Sequence, residues 1–235
     1  IGHAEIALDQ VGAGDSINDH LEEILAAGNH SSDLTRQLLA FARKQTISPK
    51  IVNINKIVSG ISKMLVRLIG EDISLQWEPG EKIWPVKVDP SQVDQLLANL
   101  SVNARDAITN IGHITISTAN CMITEEDCQL NPELQKGEFV KITFTDDGSG
   151  ISDENLSSIF EPFYTTKEPG KGTGLGLSTV YGIVKQNNGI ITVQSELGKG
   201  TEFGIYFPRC SIEGPHKVES AKGQKVVGGD ECILL

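Results

Sequence analysis

Several features that would place a protein in a membrane, secreted or metal-binding class are missing from this sequence. No apolar run approaches the roughly 20 residues of a membrane helix. Glu5 and Asp9 interrupt the apolar positions of the first residues, so no signal-peptide pattern stands there. The four cysteines form no CxxC pair, and no histidine stands at a zinc-ligand spacing from them. We therefore expect a cytoplasmic location, reduced cysteines and no membrane contact by this segment.

Positive charge is also scarce. Lysine and arginine number 20 against 31 aspartates and glutamates, which gives a formal net charge of −11. This balance argues against a nucleic-acid partner. Hydrophobic residues make up 39% and charged residues 22%, the proportions of an ordinary globular protein. The 235 residues suffice for one sizeable core with an appendage.

Hydrophobic periodicity divides the chain into three parts. In residues 1–48, apolar residues recur at helical spacing up to about Gln45. An amphipathic helix cannot bury its apolar stripe alone, so we predict a helical bundle here, formed between subunits. Pro49 ends this part, and the alternating strand and helix patterns of residues 49–209 predict an α+β domain. Residues 210–235 are mostly polar and predict a linker.

Within the central part, turn residues bound the strand candidates and capping residues bound the helix candidates. The predicted strands cover residues 51–54, 73–77, 84–88, 113–121, 138–145, 190–196 and 201–207. Pro79-Gly80 is the predicted turn between the second and third of these, and the last two are predicted to form a hairpin about residues 197–200. The predicted helices cover residues 55–68, 90–109 and 178–186. Asp89 followed by Pro90 predicts the N-cap and first position of the second helix.

This second predicted helix carries Asn99, Asn103 and Asp106. The two asparagines stand four positions apart, so both project from one face of the helix. Amide oxygens are suitable ligands for a hard cation that phosphates already hold. Taken alone, the asparagines are equally compatible with surface or capping roles, and Asp106 with a solvated charge.

Asp146 stands where a predicted strand runs into glycines. A carboxylate there can accept a hydrogen bond from the exocyclic amine of adenine, which selects against guanine. Gly148 and Gly150 allow a base to approach the backbone. The alternative is an ordinary Asp-Gly turn.

A second glycine cluster precedes the third predicted helix, where free N–H groups and the helix dipole can bind phosphates. No Gly-Lys-Ser/Thr ending is present, so this is not a Walker A loop, and no clear parallel βαβ unit surrounds it. Lys167 and Lys171 are candidates for cationic contacts. The cluster consists of Gly172, Thr173, Gly174, Leu175, Gly176 and Leu177.

Together, these motifs resemble the catalytic ATP-binding domain of sensor histidine kinases, in the GHKL superfamily, over residues 50–208. The segment NLSVNARDA resembles its N box, DDGSG its first G box and IFEPFYTTK its F box. GKGTGLGLS is similar to the second G box and GKGTEF to the third. Residues 17–47, with LTRQLLAFARKQ, resemble the second helix of the dimerisation and phosphotransfer hairpin, and IGHAEIAL the end of its first helix.

The resemblance implies a two-layer α/β sandwich in which helices cover one face of a mixed sheet. It also implies binding of ATP with Mg²⁺. Asn103 would hold Mg²⁺ that bridges the phosphates, with Asn99 beside it, and Asp146 would bind adenine. The loop of residues 172–177 would surround the phosphates, and Thr201 would line the base pocket.

The segment between the two glycine clusters would be a lid over the nucleotide. The resemblance also implies that Phe160 and Phe163 anchor this lid.

The reaction follows from a comparison within the superfamily. Gyrase- and chaperone-type members place a water-activating glutamate where Asn99 stands, and asparagine cannot act as a general base. Asn99 therefore favours transfer of the γ-phosphoryl group to a histidine of the hairpin. The open alternatives are an ATPase that hydrolyses ATP for conformational work and a degenerate scaffold that no longer binds nucleotide.

The family's acceptor histidine is followed by an acidic residue, whereas Ala4, Leu21 and Ser31 follow His3, His20 and His30. The resemblance places the acceptor roughly a dozen residues, about three helical turns, before Ile1. We expect this chain to bind ATP without autophosphorylating, and to form a weak dimer or a monomer where the parent protein dimerises.

The last residues, GGDECILL, resemble the first strand of a receiver domain. This implies a hybrid kinase, whose partners are its own hairpin and a receiver domain or response regulator. The alternative is a disordered tail.

Overall fold

The computed structural model describes residues 48–130, 134–167 and 172–210, together with residues 21, 24, 25 and 28, which are helical. The hairpin predicted for residues 1–48 and the tail predicted for residues 210–235 otherwise lie outside the described residues. Lys171 also lies outside them.

Secondary structure in the described part follows the predicted order closely. The strands are β1 (Lys50–Val52), β2 (Ile73–Glu78), β3 (Val86–Val88), β4 (Gly112–Ile123), β5 (Gly137–Asp146), β6 (Ile190–Glu196) and β7 (Gly200–Pro208). The helices are α1 (Ile54–Ile69), α2 (Pro90–Ala107), α3 (Glu125–Leu130), α4 (Asp153–Leu156) and α5 (Gly176–Gln186).

The main sheet has five strands in the order β2-β4-β5-β7-β6. β2 pairs in parallel with β4 and the other neighbours are antiparallel, so the predicted mixed sheet is confirmed. β1 and β3 form a separate antiparallel pair. The chain turns at residues 81–82 and not at the predicted Pro79-Gly80, and the segment between β2 and β3 joins strands of different sheets. The Gly80 N–H donates to Thr118 Oγ1 at 3.0 Å, which holds this segment against β4.

Helices α1, α2 and α5 cover one face of the main sheet. Alternate residues of β5 face these helices, and Val140, Ile142 and Phe144 are fully buried. They share one hydrophobic core with α2 residues such as Leu96 and Leu97. Each large apolar side chain buried in this way contributes roughly 1.5–3 kcal/mol. The predicted two-layer α/β sandwich is thus confirmed.

The N-termini of the first two helices carry side-chain caps. Asn53 Oδ1 accepts from the Asn55 N–H at 2.9 Å before α1. Asp89 caps α2 as predicted, and its Oδ1 accepts from the Ser91 N–H at 2.9 Å. Asp89 Oδ2 also accepts from the Ser48 N–H at 2.8 Å, so the segment that leads into the domain is attached to the start of α2.

The two ends of the domain meet at β3. β1 pairs along β3 from Lys50, opposite Val88. On the way out of the domain, Arg209 forms a bridge with Val86, and the Cys210 N–H donates to the Pro85 carbonyl at 2.7 Å.

No helix within residues 48–130, 134–167 and 172–210 is both long enough and apolar enough to cross a membrane.

Candidate active site

A cavity of about 780 Å³ opens between α2, the end of β5 and the two glycine clusters. Most residues that the sequence singled out line it. These are Asn103, Asp106, Asp146, Gly150, Lys167, Gly172, Thr173, Gly174, Leu177 and Thr201.

Six of the singled-out residues that the structure describes do not line the cavity itself: Phe160, whose ring packs against the core, and five others. Asn99 is partly buried one turn before Asn103 on α2. Gly148 contacts Asp146, and Phe163 contacts Gly174, through their backbones. Leu175 and Gly176 begin α5, and a Cβ built on Gly176 would lie 3.4 Å from Asn103 Nδ2. These residues therefore adjoin the cavity wall.

One end of the cavity is built on the pair Asp146 and Thr201, which are partners in the β5–β7 register. Both side chains are 5% exposed. The Gly148 N–H donates to Asp146 Oδ1 at 2.9 Å. Burial raises the pKa of Asp146 above its ordinary value, and the backbone N–H groups of Gly148 and Thr201 offset this only in part. The result is a buried carboxyl with acceptor capacity beside an apolar wall.

The loop after Asp146 rests directly on the β6–β7 turn. Gly150 has a φ of 71°, and a Cβ built on it would collide with the Glu196 carbonyl. The Gly198 N–H donates to the Ser149 carbonyl at 2.8 Å. A side chain at position 150 would force this turn away, so glycine is required for the close approach.

The other end of the cavity is formed by α2 and the start of α5. Asn103 faces the cavity from α2, and its side chain makes no hydrogen bond with any residue that the structure describes. Its amide oxygen is therefore available to a ligand. Gly172, Thr173 and Gly174 lead from the lid into α5, whose N-terminal dipole favours anions.

Asp106 lies at the same end and forms ion pairs with two positively charged side chains. Lys167 Nζ donates to Asp106 Oδ2 at 2.6 Å, and Arg105 contacts Asp106 Oδ1 at 2.7 Å. Burial alone would raise the pKa of Asp106, but the hydrogen bonds and charges of Lys167 and Arg105 outweigh it and lower the pKa. The Lys167 contact also ties the lid segment to α2.

Phe160 lies in the segment between the two glycine clusters, which is the predicted lid. Its ring lies 5.3 Å from that of Tyr181 on α5, and it is packed against the core. Phe163, by contrast, is 62% exposed, so its ring does not anchor the lid as the resemblance implied. The reason lies in its backbone: Phe163 has a φ of 69°, and its N–H donates to the Gly174 carbonyl at 3.0 Å.

Gly174 explains why this contact is so close. Its φ is 64°, and a Cβ built there would collide with the Phe163 backbone. The lid and the second glycine cluster thus meet backbone to backbone.

Sequence reasoning missed several residues of the site. Ser195 on β6 contacts Ile151, Gly200 and Thr201 through its hydroxyl group. Tyr164 donates from its hydroxyl to Asn155 Oδ1 at 2.7 Å, which connects the lid segment to α4. Ser195 could have been found, because the predicted hairpin of residues 190–207 places it opposite Thr201. The Tyr164 contact has no such local signal.

His113 belongs to none of the sequence motifs. Its ring Nδ1 lies 2.9 Å from Asp147 Oδ2, and its backbone N–H donates to Asp147 Oδ1 at 2.7 Å. Asp147 therefore faces away from the cavity, which leaves Asp146 as the carboxylate of this loop that lines it.

A mixed-sheet sandwich with a buried carboxyl at one end of the cavity and a glycine-rich helix start at the other defines a nucleotide-binding domain. The chain belongs to the family described as "Histidine kinase-, DNA gyrase B-, and HSP90-like ATPase", whose model matches residues 88–211, more than half of the chain.

Among curated relatives, sensor kinase CckA of Brucella abortus (strain 2308) is 42% identical over 239 residues. The match covers 99% of this chain and 25% of CckA. Sporulation kinase A of Bacillus subtilis (strain 168) is 32% identical over 197 residues, 82% of this chain and 29% of that protein. The chain thus spans between a quarter and a third of these two relatives. Together with the matched family, these relatives confirm the predicted class, an ATP-binding catalytic domain of the histidine-kinase type.

Among solved structures, full-length ShkA in complex with AMPPNP has a TM-score of 0.62 and 22% identity. The match covers 88% of this chain and 42% of ShkA. At this identity the likeness concerns the fold, and it agrees with the sandwich described above.

Proposed function

We propose that this chain binds ATP with Mg²⁺ in the cavity and that the full-length protein transfers the γ-phosphoryl group to a histidine. The observation that supports this most is the division of one cavity into two chemically different ends. Asp146 and Thr201 form a buried polar end suited to a base, and Asn103, Lys167 and the glycine loop form an end suited to phosphates.

At the base end, Asp146 accepts from the exocyclic amine of adenine, and Thr201 lies beside it. Gly150 keeps this part of the wall free of a side chain, and Gly148 packs closely against Asp146 and the end of α2. The carboxyl is buried and adjoins apolar surface, so pairing with an amine satisfies its hydrogen-bonding capacity. The proposal gains support from the ATPase family that matches these residues.

At the phosphate end, residues 172–177 surround the phosphates with backbone N–H groups at the start of α5. Lys167 adds a positive charge. The unpaired amide of Asn103 fits Mg²⁺, because this ion prefers oxygen ligands and takes few from the protein when phosphates supply the rest. Asn99 stands one turn away on the same helix. Bound Mg²⁺ would neutralise charge on the phosphates.

In the transfer step, a histidine nitrogen forms a bond with the γ-phosphorus while the bond to the β–γ bridging oxygen breaks. ADP leaves with the electron pair of that bond. This chain supplies position and charge: the glycine loop and Lys167 hold the phosphates, and the lid excludes water from them.

The described residues favour transfer over hydrolysis. Asn99 cannot remove a proton from water. Asp106 is the carboxylate that lines the phosphate end, and Lys167 and Arg105 lower its pKa, which makes it a weak general base. A second carboxylate, Asp146, lies at the base end.

We also propose the domain organisation that the sequence predicts. Residues 1–48 belong to the dimerisation and phosphotransfer hairpin, residues 49–209 form the catalytic domain, and residues 210–235 lead towards a receiver domain. The full-length protein would dimerise through the hairpin in the cytoplasm and pass phosphate to a receiver domain or response regulator.

Calorimetric titration with ATP tests the binding proposal. We expect binding by the unmodified protein in the presence of Mg²⁺, weaker binding with EDTA, and at least a tenfold loss for Asp146→Asn, since one charged hydrogen bond is removed. Asp147→Asn is the matched control, because it neutralises the neighbouring carboxylate outside the cavity. Equal affinities of both variants and the unmodified protein would contradict the proposal.

A further inference from the structure

We infer that Ser195 is a positioning residue that sets the base specificity of the cavity by fixing the hydroxyl of Thr201 as a hydrogen-bond acceptor. The inference rests on the proposed function, since it concerns how the same cavity distinguishes an amino-substituted purine from an oxo-substituted one. Ser195 itself does not line the main cavity.

The Ser195 hydroxyl has three partners, and together they determine where its hydrogen lies. The Ile151 N–H donates to Ser195 Oγ at 2.8 Å. The Gly200 carbonyl, which can only accept, lies 2.9 Å from Ser195 Oγ. The single hydrogen of Ser195 is therefore directed to Gly200.

The third partner, Thr201 Oγ1, lies 2.9 Å from Ser195 Oγ. Ser195 has no further hydrogen to give, so Thr201 must donate in this contact. The Thr201 hydroxyl then has only lone pairs left to present to the cavity that it lines. Its 5% exposed side chain is adjacent to the Asp146 carboxyl through the β5–β7 register.

This end of the cavity therefore presents two acceptors side by side. A base whose amino group faces this end can donate hydrogen bonds to both acceptors, either directly or through a water molecule that the amino group orients. A carbonyl at the same place meets lone pairs on both sides and leaves buried polar groups unpaired. Sites built to hydrogen-bond a donor reject the analogue that lacks it, because the buried partners remain unsatisfied.

Ser195 can maintain this arrangement because strand pairing and backbone hydrogen bonds hold the segments around it together. The β6–β7 pair holds Ser195 opposite Thr201. The Ser149 and Gly198 backbones join the turn to the first glycine loop. Ser195 also connects that wall to Ile151, which lines the cavity just before the lid begins.

The test compares the affinities of ATP and inosine triphosphate, whose 6-position bears a carbonyl in place of the amine. In Ser195→Ala the Thr201 hydrogen is released and can turn into the cavity, so Thr201 can donate to the carbonyl. We expect the preference for ATP over inosine triphosphate to fall about tenfold. Ser195→Thr retains the hydroxyl group, so we expect it to keep the preference of the unmodified protein for ATP over inosine triphosphate. A merely structural role of Ser195 does not predict this difference between the two variants.

Thr192→Val is the matched control. Thr192 lies on the same strand, and its hydroxyl donates to the Gly204 carbonyl of β7 at 3.5 Å, outside the cavity. We expect its preference to equal that of the unmodified protein.

An equal loss of affinity for both nucleotides in Ser195→Ala, or an unchanged preference, would overturn the inference while leaving ATP binding intact. Failure of the unmodified protein to bind ATP would instead overturn the proposed function, and the inference with it.

Discussion

At the scale of single residues, Ser101 and Thr118 form an instructive contrast. Both hydroxyl groups lie in the core, at 0% and 5% exposure. Thr118 Oγ1 donates to Asn55 Oδ1 at 2.7 Å and accepts from the Gly80 N–H at 3.0 Å. Within the described part of the chain, Ser101 Oγ is the buried side-chain polar atom that has no partner.

We expect Ser101→Ala to leave the free energy of unfolding unchanged or to raise it by about 1 kcal/mol, because it removes an unsatisfied polar group. Thr118→Val should lower the free energy of unfolding by about 1–3 kcal/mol, since Asn55 and Gly80 lose their partner. Urea denaturation of both variants measures the difference. A larger loss for Ser101→Ala than for Thr118→Val would contradict the assignment.

The buried carboxyl of Asp146 makes stability depend on pH. Burial raises its pKa in the folded protein above that in the unfolded chain. Its contribution to stability is therefore present below the ordinary Asp pKa and is lost as pH rises through the raised value. We expect Asp146→Asn to unfold with a higher free energy than the unmodified protein at neutral pH, and the difference to vanish in acid.

Asp147 provides the opposite case for the same measurement. Burial alone would raise its pKa, but hydrogen bonds from His113 outweigh it and lower the pKa. Its contribution is present above the ordinary Asp pKa and is lost as pH falls through the lowered value. Asp147→Asn should thus lower stability at neutral pH. Urea denaturation across a pH series measures the free energy of unfolding of both variants. A change of the same sign in Asp146→Asn and Asp147→Asn at neutral pH would refute this account.

At the scale of elements, α2 and α5 determine the geometry of the phosphate end. α2 carries Asn103 and α5 begins beside it. Far from the cavity, a small amide network joins the same two helices: Asn187 Nδ2 donates to Gln92 Oε1 at 2.9 Å and to the Ile183 carbonyl at 2.8 Å. Gln92 in turn donates to Gln186 Oε1 at 2.9 Å.

We expect Asn187→Leu to lower the free energy of unfolding by about 1–3 kcal/mol, because Gln92, at 8% exposure, loses its donor. Gln92→Met in the Asn187→Leu background should have a smaller effect than in the unmodified protein. A double-mutant cycle in urea measures this coupling. Strictly additive effects would show that the amides act independently.

At the scale of the whole molecule, ATP binding should stabilise the folded state by mass action. At an ATP concentration of 100 times Kd, the expected gain is about 2.7 kcal/mol. The gain for Asp146→Asn at the same concentration should be smaller, because its affinity is lower. Thermal unfolding with and without ATP measures both. An equal gain in the two proteins would place the nucleotide away from Asp146.

Local sequence signals predicted a large part of this molecule. Asp89 and Pro90 marked the start of α2, and the turn of residues 197–200 marked the β6–β7 hairpin, because capping and turn chemistry depend on adjacent residues. The motif residues came together in one cavity because the glycine clusters and α2 border the same sheet end.

Contacts between distant segments were not predictable in the same way. The parallel pairing of β2 with β4 joins strands that α2 separates, and no local pattern specifies it. The exposure of Phe163 follows from a backbone contact with Gly174 across the lid. The Lys167–Asp106 ion pair likewise depends on how the lid folds back onto α2.

The meeting of both domain ends at β3 has a mechanical consequence. Lys50 and Arg209 flank the same short strand, so tension applied to the two ends of the domain is borne by β3 and, through the Arg209 N–H and the Glu138 carbonyl, by the start of β5. Asp146 and Thr201 pair at the opposite end of the β5–β7 ladder. A pull on the two ends therefore loads this ladder at the end that lies away from the cavity.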